Sequence, residues 1–459
     1  MRKKFQLSLL MIFLLGLIFL SYYVLNDHSR YVLPAEGIGR YTNGLAQRPL
    51  MGWSSWSALG SFPTESKIQT QAQALARTLK SHGYIYVNLD DYWYLDPATT
   101  IDQFGRWVAD PQKFPAGIGS LSAYIHGLGL KFGIYLNPGI PVAAVQQNTP
   151  IEGTKYHARD IADTSRYETS FSFGKNEQYV IDYSKPGAQA FINSWAHLLA
   201  QWNIDFLKLD GVQSRNSMQS QVSSTIQAWS LALKQLARPI YFDLSGAFTV
   251  AQASLLRVSA NGWRIDDDIE CYASCAGRVS WQHVLMRFKD VPLWARWAGP
   301  GGWNDLDSLD VGNGSKDGLT DDERQSYMTL WAISAAPLYI GDDLTTLDAY
   351  GLNLLTNDEV ININQQGVVV SPITTTSQQQ VWRAKEADGS YVVALFNLGD
   401  SPATVSIKWS ALGLKRPALL RDLWSHTDLG VYGDGFSAKL NTHASRLLKL
   451  MPISTLSGS

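Results

Sequence analysis

Apolar residues recur along this chain in two rhythms. Between Arg48 and about Leu344, short apolar runs alternate with stretches in which apolar side chains return every three to four positions. A short run closed by turn residues fits a buried strand, and the longer spacing fits a helix with one face inward. The runs read as strands are Gly52–Ser55, Ile85–Leu89, Phe132–Leu136, Phe206–Leu209, Ile240–Leu244, Leu256–Ser259, Gly302–Asp305 and Leu338–Gly341. Lys67–Ser81, Pro186–Gln201 and Gln219–Leu236 read as helices between them. Thr320 with Glu323 three residues later is a capping box, so a helix is expected there, continuing through Arg324 to Ala335. Strands alternating with helices in this number predict a (β/α)8 TIM barrel of the α/β class. A doubly wound sheet is the alternative, but no Gly-rich phosphate loop follows any strand.

From about Asp358 the rhythm shortens. Val368–Val370, Gln380–Arg383, Tyr391–Phe396, Ala403–Ile407, Leu419–Leu423 and Ser445–Lys449 are β-type runs broken by Gly, Asp, Ser and Pro. They predict a C-terminal antiparallel β-sandwich domain, and the boundaries expected are 48–345 for the barrel and 346–459 for the sandwich. At the other end, Met1-Arg2-Lys3-Lys4 precedes an apolar stretch from Leu7 to Leu25. This reads as a signal peptide or a signal anchor over 1–25, with 26–47 as a linker. The body is then expected outside the cytoplasm, either secreted or held at the outer face of the membrane through that segment.

Charge and composition narrow the picture. With 38 basic and 40 acidic residues the net charge is about −2, which argues against a nucleic-acid partner. Trp at 16 and Tyr at 21 are abundant, and flat aromatic faces suit sugar rings as well as cores. Cys271 and Cys275 offer too few ligands for a metal site. An i,i+4 pair on a regular helix has the wrong geometry for a disulfide. Disulfide and two free thiols both stay open.

The chemistry-bearing residues gather at strand ends. Ile204-Asp205-Phe206-Leu207-Lys208-Leu209-Asp210-Gly211 is a strand that stops at an acid, the place where a β/α barrel keeps its reacting groups. Trp53 and Trp56 lie at the first strand, Asp90 and Asp91 end the second, and Arg264 precedes Asp266, Asp267 and Asp268. Each has a plain structural explanation: a turn, a core tryptophan, an acid run at a helix start, an ion pair. One pocket at the C-terminal face accounts for all of them together. Separated acids in an aromatic pocket suit glycoside hydrolysis, with one carboxylate attacking and one carboxylic acid protonating the leaving oxygen. Asp210, beside cationic Lys208, suits the attacking role. One of Asp266–Asp268 suits the acid, its like-charged neighbours being expected to raise its pKa.

At these residues the chain resembles glycoside hydrolase family 27, the α-galactosidases and α-N-acetylgalactosaminidases. The resemblance rests on Met-Gly-Trp-x-x-Trp (51–56), Tyr-x-x-Val-x-Leu-Asp-Asp-x-Trp (84–93), Gly-Ile-Tyr (133–135) and Leu-Lys-x-Asp-Gly (207–211). It continues in Trp-Arg-x-x-x-Asp-Ile (263–269), Gly-Pro-Gly-Gly-Trp-Asn-Asp-x-Asp-x-Leu (299–309), Gly-Leu-Thr (318–320) and Ala-Pro-Leu (336–338). It implies a retaining double displacement with Asp210 as nucleophile and Asp268 as acid/base. Trp56 would back the sugar, Asp90 and Asp91 would hold its O4 and O6 side, and Tyr135, Lys208 and Arg264 would bind other hydroxyls. The family uses no metal or organic cofactor, and the partner implied is a carbohydrate substrate. Tyr92 and Val212 stand where the family's barrel cysteines usually stand. On the fifth strand Ser245 takes the region where many α-galactosidases carry a Glu near the sugar O2. The leading expectation is an α-galactosidase. α-N-Acetylgalactosaminidase, β-L-arabinopyranosidase and isomalto-dextranase are the alternatives within the family, and a non-catalytic sugar-binding barrel is the alternative outside it.

Overall fold

A computed structural model describes residues 39–168, 172–173, 176–212, 219–375 and 377–453. The proposed signal segment, 1–25, and the first part of the linker lie outside the described residues. Among those described, no helix is long and apolar enough to cross a membrane.

Eight parallel strands form the barrel: β1 Met51–Ser54, β2 Tyr86–Leu89, β3 Lys131–Leu136, β4 Phe206–Leu209, β5 Tyr241–Leu244, β6 Gly262–Arg264, β7 Trp303–Asp305 and β8 Leu338–Ile340. β1 to β7 pair in that order, and β8 pairs with β1. Closure between β7 and β8 runs through Leu309, whose N–H donates to the Tyr339 carbonyl at 2.8 Å. Helices follow the strands and pack their apolar faces outside the barrel, as in Glu65–Thr78, Ala188–Gln201 and Trp281–Trp294. The capping box is present: the Thr320 hydroxyl accepts from Glu323 N–H, and Glu323 accepts from Thr320 N–H at 2.7 Å, opening the helix Asp321–Ile333.

Three expectations are corrected. Leu256–Ser259 belongs to a helix, Ala253–Ser259, and the sixth strand is Gly262–Arg264. A four-residue apolar run fits either state, whereas a three-residue strand that begins with Gly carries almost no periodicity. Gly262 is required there because a Cβ would lie 1.9 Å from Asp243 Oδ1. The barrel also extends past 345: the helices Ala349–Leu355 and Asp358–Gln366 bury Leu354, Leu355, Val360 and Ile361 in its core. The sandwich begins at Ser371. Finally, the described part of the linker packs against the barrel. Tyr41 is buried, and Asn43 Nδ2 donates to the Ile240 carbonyl at 3.0 Å and to Asn261 Oδ1 at 2.9 Å.

The sandwich sets a six-stranded antiparallel sheet against the pair Ala403–Lys408 and Gly435–Leu440. One face of the large sheet shares the barrel's core through Trp382, Phe396 and Leu447. The other face encloses a core of its own with Val381, Leu395, Val405 and Leu420. His443 joins the two bodies, stacking on Trp281 and hydrogen-bonding with Glu323 Oε1 at 2.6 Å.

Candidate active site

Strand alternation builds the site from below. Along β4 and just past its end, Phe206, Lys208 and Asp210 face the barrel interior, while Leu207 and Leu209 are buried in the surrounding core. The parallel register sets Tyr135 of β3 and Asp243 of β5 beside Lys208. Lys208 Nζ donates to Asp90 Oδ2 at 2.9 Å across the barrel. Burial would lower Lys208, but Asp90 and Asp210 outweigh it, and the ammonium stays charged.

The paired acids after β2 are fixed on nearly every oxygen. Asp90 Oδ2 also accepts from Ser54 Oγ at 3.1 Å and Asn88 Nδ2 at 3.3 Å, and Asp90 Oδ1 accepts from Asp91 N–H at 2.9 Å. Asp91 Oδ1 accepts from Tyr92 N–H at 2.7 Å and Tyr94 OH at 2.9 Å, and its Oδ2 accepts from Ser172 Oγ. Burial pushes Asp91 up to about 6, against these hydrogen bonds, which favour its ionised form. Tyr92 holds the left-handed φ of 65° that turns the chain here, and its ring stacks on Trp56 at 6.4 Å.

Across β6 and β7 a buried guanidinium links two carboxylates. Arg264 Nη2 lies 2.8 Å from Asp268 Oδ1 and 2.8 Å from Asp307 Oδ2. Asp307 itself sits at φ 83°, and its carboxylate accepts from Ile269 N–H at 2.7 Å, which anchors the start of the following loop. Tyr272 OH donates to Asp268 Oδ2 at 3.0 Å. The expectation that like charges raise the acid is therefore corrected. Burial does push Asp268 up, but the charge and hydrogen bond of Arg264, then Lys208 and Tyr272, hold it at about 2. Asp266 is turned away to Arg287, and Asp267 is exposed.

These groups open on one cavity of about 700 Å³. Nine of the residues proposed from sequence line it: Trp56, Asp90, Asp91, Tyr135, Lys208, Asp210, Ser245, Arg264 and Asp268. Trp53 does not; it is buried in the barrel core, its Nε1 donating to the Asp342 carbonyl at 2.7 Å. Ser245 follows β5 directly and its N–H donates to the Leu209 carbonyl at 2.9 Å, so a small side chain borders the space there. Cys271 and Cys275 form a disulfide in the loop after β6, with Cα atoms 6.1 Å apart. A non-helical loop removes the geometric objection to an i,i+4 pair. Sequence reasoning missed Asp307, Glu270 and Tyr272, which also line the cavity. Asp307 stood inside a quoted motif without a role. Glu270 and Tyr272 lie two and four residues past Asp268 with no periodicity to mark them. Glu270 is pushed well up by burial, then by Asp307 and Asp310, and accepts from Ser57 Oγ at 2.5 Å.

Comparison with known proteins gives this arrangement a family. A family model described as alpha galactosidase A matches residues 63–165 and 177–366. A second, the alpha galactosidase C-terminal beta sandwich domain, matches 376–450. The solved GH27 β-L-arabinopyranosidase of Geobacillus stearothermophilus superposes with a TM-score of 0.82 at 34% identity, over 90% of this chain and 98% of that one. The chain belongs to glycoside hydrolase family 27. Its curated relatives include the alpha-galactosidase of Coffea arabica, 32% identical over 89% of this chain and 95% of that protein. The alpha-galactosidase of Cyamopsis tetragonoloba is 30% identical over 89% and 88%. A putative α-N-acetylgalactosaminidase from Bacillus halodurans superposes with a TM-score of 0.77 at 30% identity, over 91% of this chain and all of that one. As a family 27 glycoside hydrolase, the chain keeps the acids, the lysine and the arginine of the quoted motifs together in one cavity.

Proposed function

We propose that this family 27 enzyme is a retaining α-galactosidase. What carries the reading is the meeting of Asp210, Asp268 and the rigid pair Asp90–Asp91 on one cavity. Asp210 attacks the anomeric carbon from β4 and forms a glycosyl ester, while Asp268 protonates the departing oxygen. Asp268 then takes a proton from water as that water breaks the ester, and two inversions give net retention. Arg264 and Tyr272 both donate to Asp268, which favours its base form. A sugar hydroxyl that engages Arg264 and covers the carboxylate from water weakens that hold, and this favours the protonated form that the first step needs. Asp90 and Asp91, already satisfied by protein donors, form a preorganised acceptor wall for the O4 and O6 side.

The structural likeness to the arabinopyranosidase supports a second reading. A β-L-arabinopyranosyl ring matches an α-galactosyl ring without its C6 hydroxymethyl group, so the wall at Asp91 decides between them. Aryl α-galactoside, β-L-arabinopyranoside, α-N-acetylgalactosaminide and dextran should be assayed side by side. We expect kcat/KM for the α-galactoside to lead by about 10-fold or more. A higher value for the arabinopyranoside selects the second reading, and binding without turnover of any of them selects a sugar-binding barrel. We read the body as working outside the cytoplasm, supported by the basic, then apolar N-terminal sequence and by the Cys271–Cys275 disulfide, a bond that persists in oxidising compartments. Active protein recovered from a reducing cytoplasm with both thiols free would overturn that.

A further inference from the structure

Tyr272 lines the cavity and takes no part in the bond-making steps of the proposed reaction. It sits on a loop bracketed by an isolated antiparallel bridge between Glu270 and Val279. Cys271 N–H donates to the Arg278 carbonyl at 2.6 Å, and the Cys271–Cys275 disulfide closes the first half of the loop. The residue is 64% exposed, so burial is not what fixes it. Its polar edge does that. Trp56 Nε1 donates to the Tyr272 hydroxyl at 2.8 Å, and the hydroxyl donates onward to Asp268 Oδ2 at 3.0 Å. The two rings meet edge to face, with centroids 6.4 Å apart. A phenol that accepts one N–H and spends its only proton on a carboxylate has a defined rotor and a strengthened donor.

Resting on the family assignment and on Asp268 as acid/base, we propose that Tyr272 is a positioning residue for Asp268. The disulfide-closed loop holds its hydroxyl on Oδ2 while Arg264 holds Oδ1, so the carboxyl has one orientation toward the leaving oxygen and the incoming water. The groups facing Asp268 are Arg264 and Lys208, which favour its charge, Asp307 and Glu270, which oppose it where ionised, and His283 on the cavity wall. Tyr272 adds a hydrogen bond to the ionised form, and removing that bond raises Asp268. The basic limb of kcat requires Asp268 protonated with the sugar bound, so it then moves to higher pH.

The test uses the full-length protein. Tyr272→Phe keeps the ring and loses the hydroxyl; the expected result is a basic limb displaced upward by about one pH unit, with kcat falling more than KM changes. The Cys271→Ser/Cys275→Ser double variant frees the loop and is expected to move the limb the same way by less. A carbon-13 carboxyl titration of Asp268 in parent and Tyr272→Phe reads the same displacement without turnover. A folded Tyr272→Phe protein with the parent's Asp268 titration and pH profile overturns the proposal. A parent that hydrolyses no glycoside overturns the α-galactosidase reading instead, while the titration still decides the role of Tyr272.

Discussion

The two ends of the barrel are built from the same strands and differ in kind. At the N-terminal end, Leu50, Tyr86, Phe206, Tyr241 and Tyr339 form one apolar and aromatic plug, covered by Leu45 and Ala46. At the C-terminal end, the same strands deliver Asp90, Asp210 and Ser245 to the cavity. β4 and the residue that follows it make the contrast: Phe206 below, Lys208 between, Asp210 above. Inward positions four apart on one strand thus serve packing at one end and chemistry at the other. Gly133 allows the large ring at the bottom, since a Cβ there would lie 2.6 Å from Phe206. An aromatic plug needs no partner beyond its neighbours. The carboxylates above need lysine, arginine, hydroxyls and backbone N–H groups arranged around them.

Changing Phe206 and Asp210 in turn separates packing from chemistry along this strand. Asp210→Asn is expected to lower kcat/KM for aryl α-galactoside by ~10³-fold or more, with the melting temperature almost unmoved. Phe206→Ala is expected to cost about 3–5 kcal/mol of stability, while the folded fraction keeps its KM and most of its kcat. Thermal melts with kinetics on both variants check this. A Phe206→Ala enzyme that melts normally but does not turn over would mean that the plug acts on the site above it.

Lys208, midway, should fail on both counts. Its side chain is 13% exposed and Asp90's only 2%, so Lys208→Met strands a buried carboxylate. The expected stability loss is about 3–5 kcal/mol, accompanied by a fall in kcat/KM on the order of 10²-fold as the acceptor wall loses its anchor. Adding Asp90→Asn should recover stability without recovering activity. Recovery of both would show that Lys208 and Asp90 do nothing beyond neutralising each other.

Much of this was legible in the sequence because the barrel repeats itself. Apolar runs ending in Asp90-Asp91 and Asp210 mark strand ends whether or not each strand is long enough to show a period. The plug was not legible: Tyr86, Phe206, Tyr241 and Tyr339 read as ordinary strand residues, and only closure of the barrel brings them together. The sixth strand escaped because three residues beginning with Gly262 carry no pattern, whereas Leu255-Leu256 nearby does. Asp268's charge was misjudged from its neighbours in sequence. Its partners in space are Arg264 and Tyr272, and Asp266 has gone to Arg287. Glu323 was read as a cap and is one, yet its other oxygen meets His443 of the sandwich, a contact that no local pattern encodes.

The last contrast between the ends is in their response to pH. Asp91 is pushed up from 3.8 to about 6, chiefly by burial, so the folded state holds its proton more tightly than the unfolded state does. That contribution to stability is full below about pH 4 and is lost as pH rises through about 6. Asp91→Asn removes the titration but also disturbs the acceptance of Tyr94 OH, Tyr92 N–H and Ser172 Oγ. The variant is therefore expected to melt below the parent at pH 4, and the gap is expected to narrow by pH 7. Leu50→Ala, in the plug and without a titrating group, should melt below the parent by the same margin at both pH values. Melting curves of all three proteins from pH 4 to pH 7 read the difference directly. A gap for Asp91→Asn that stays constant or widens toward pH 7 would mean that the carboxylate is stabilised as an ion where it sits, and that its three donors outweigh its burial.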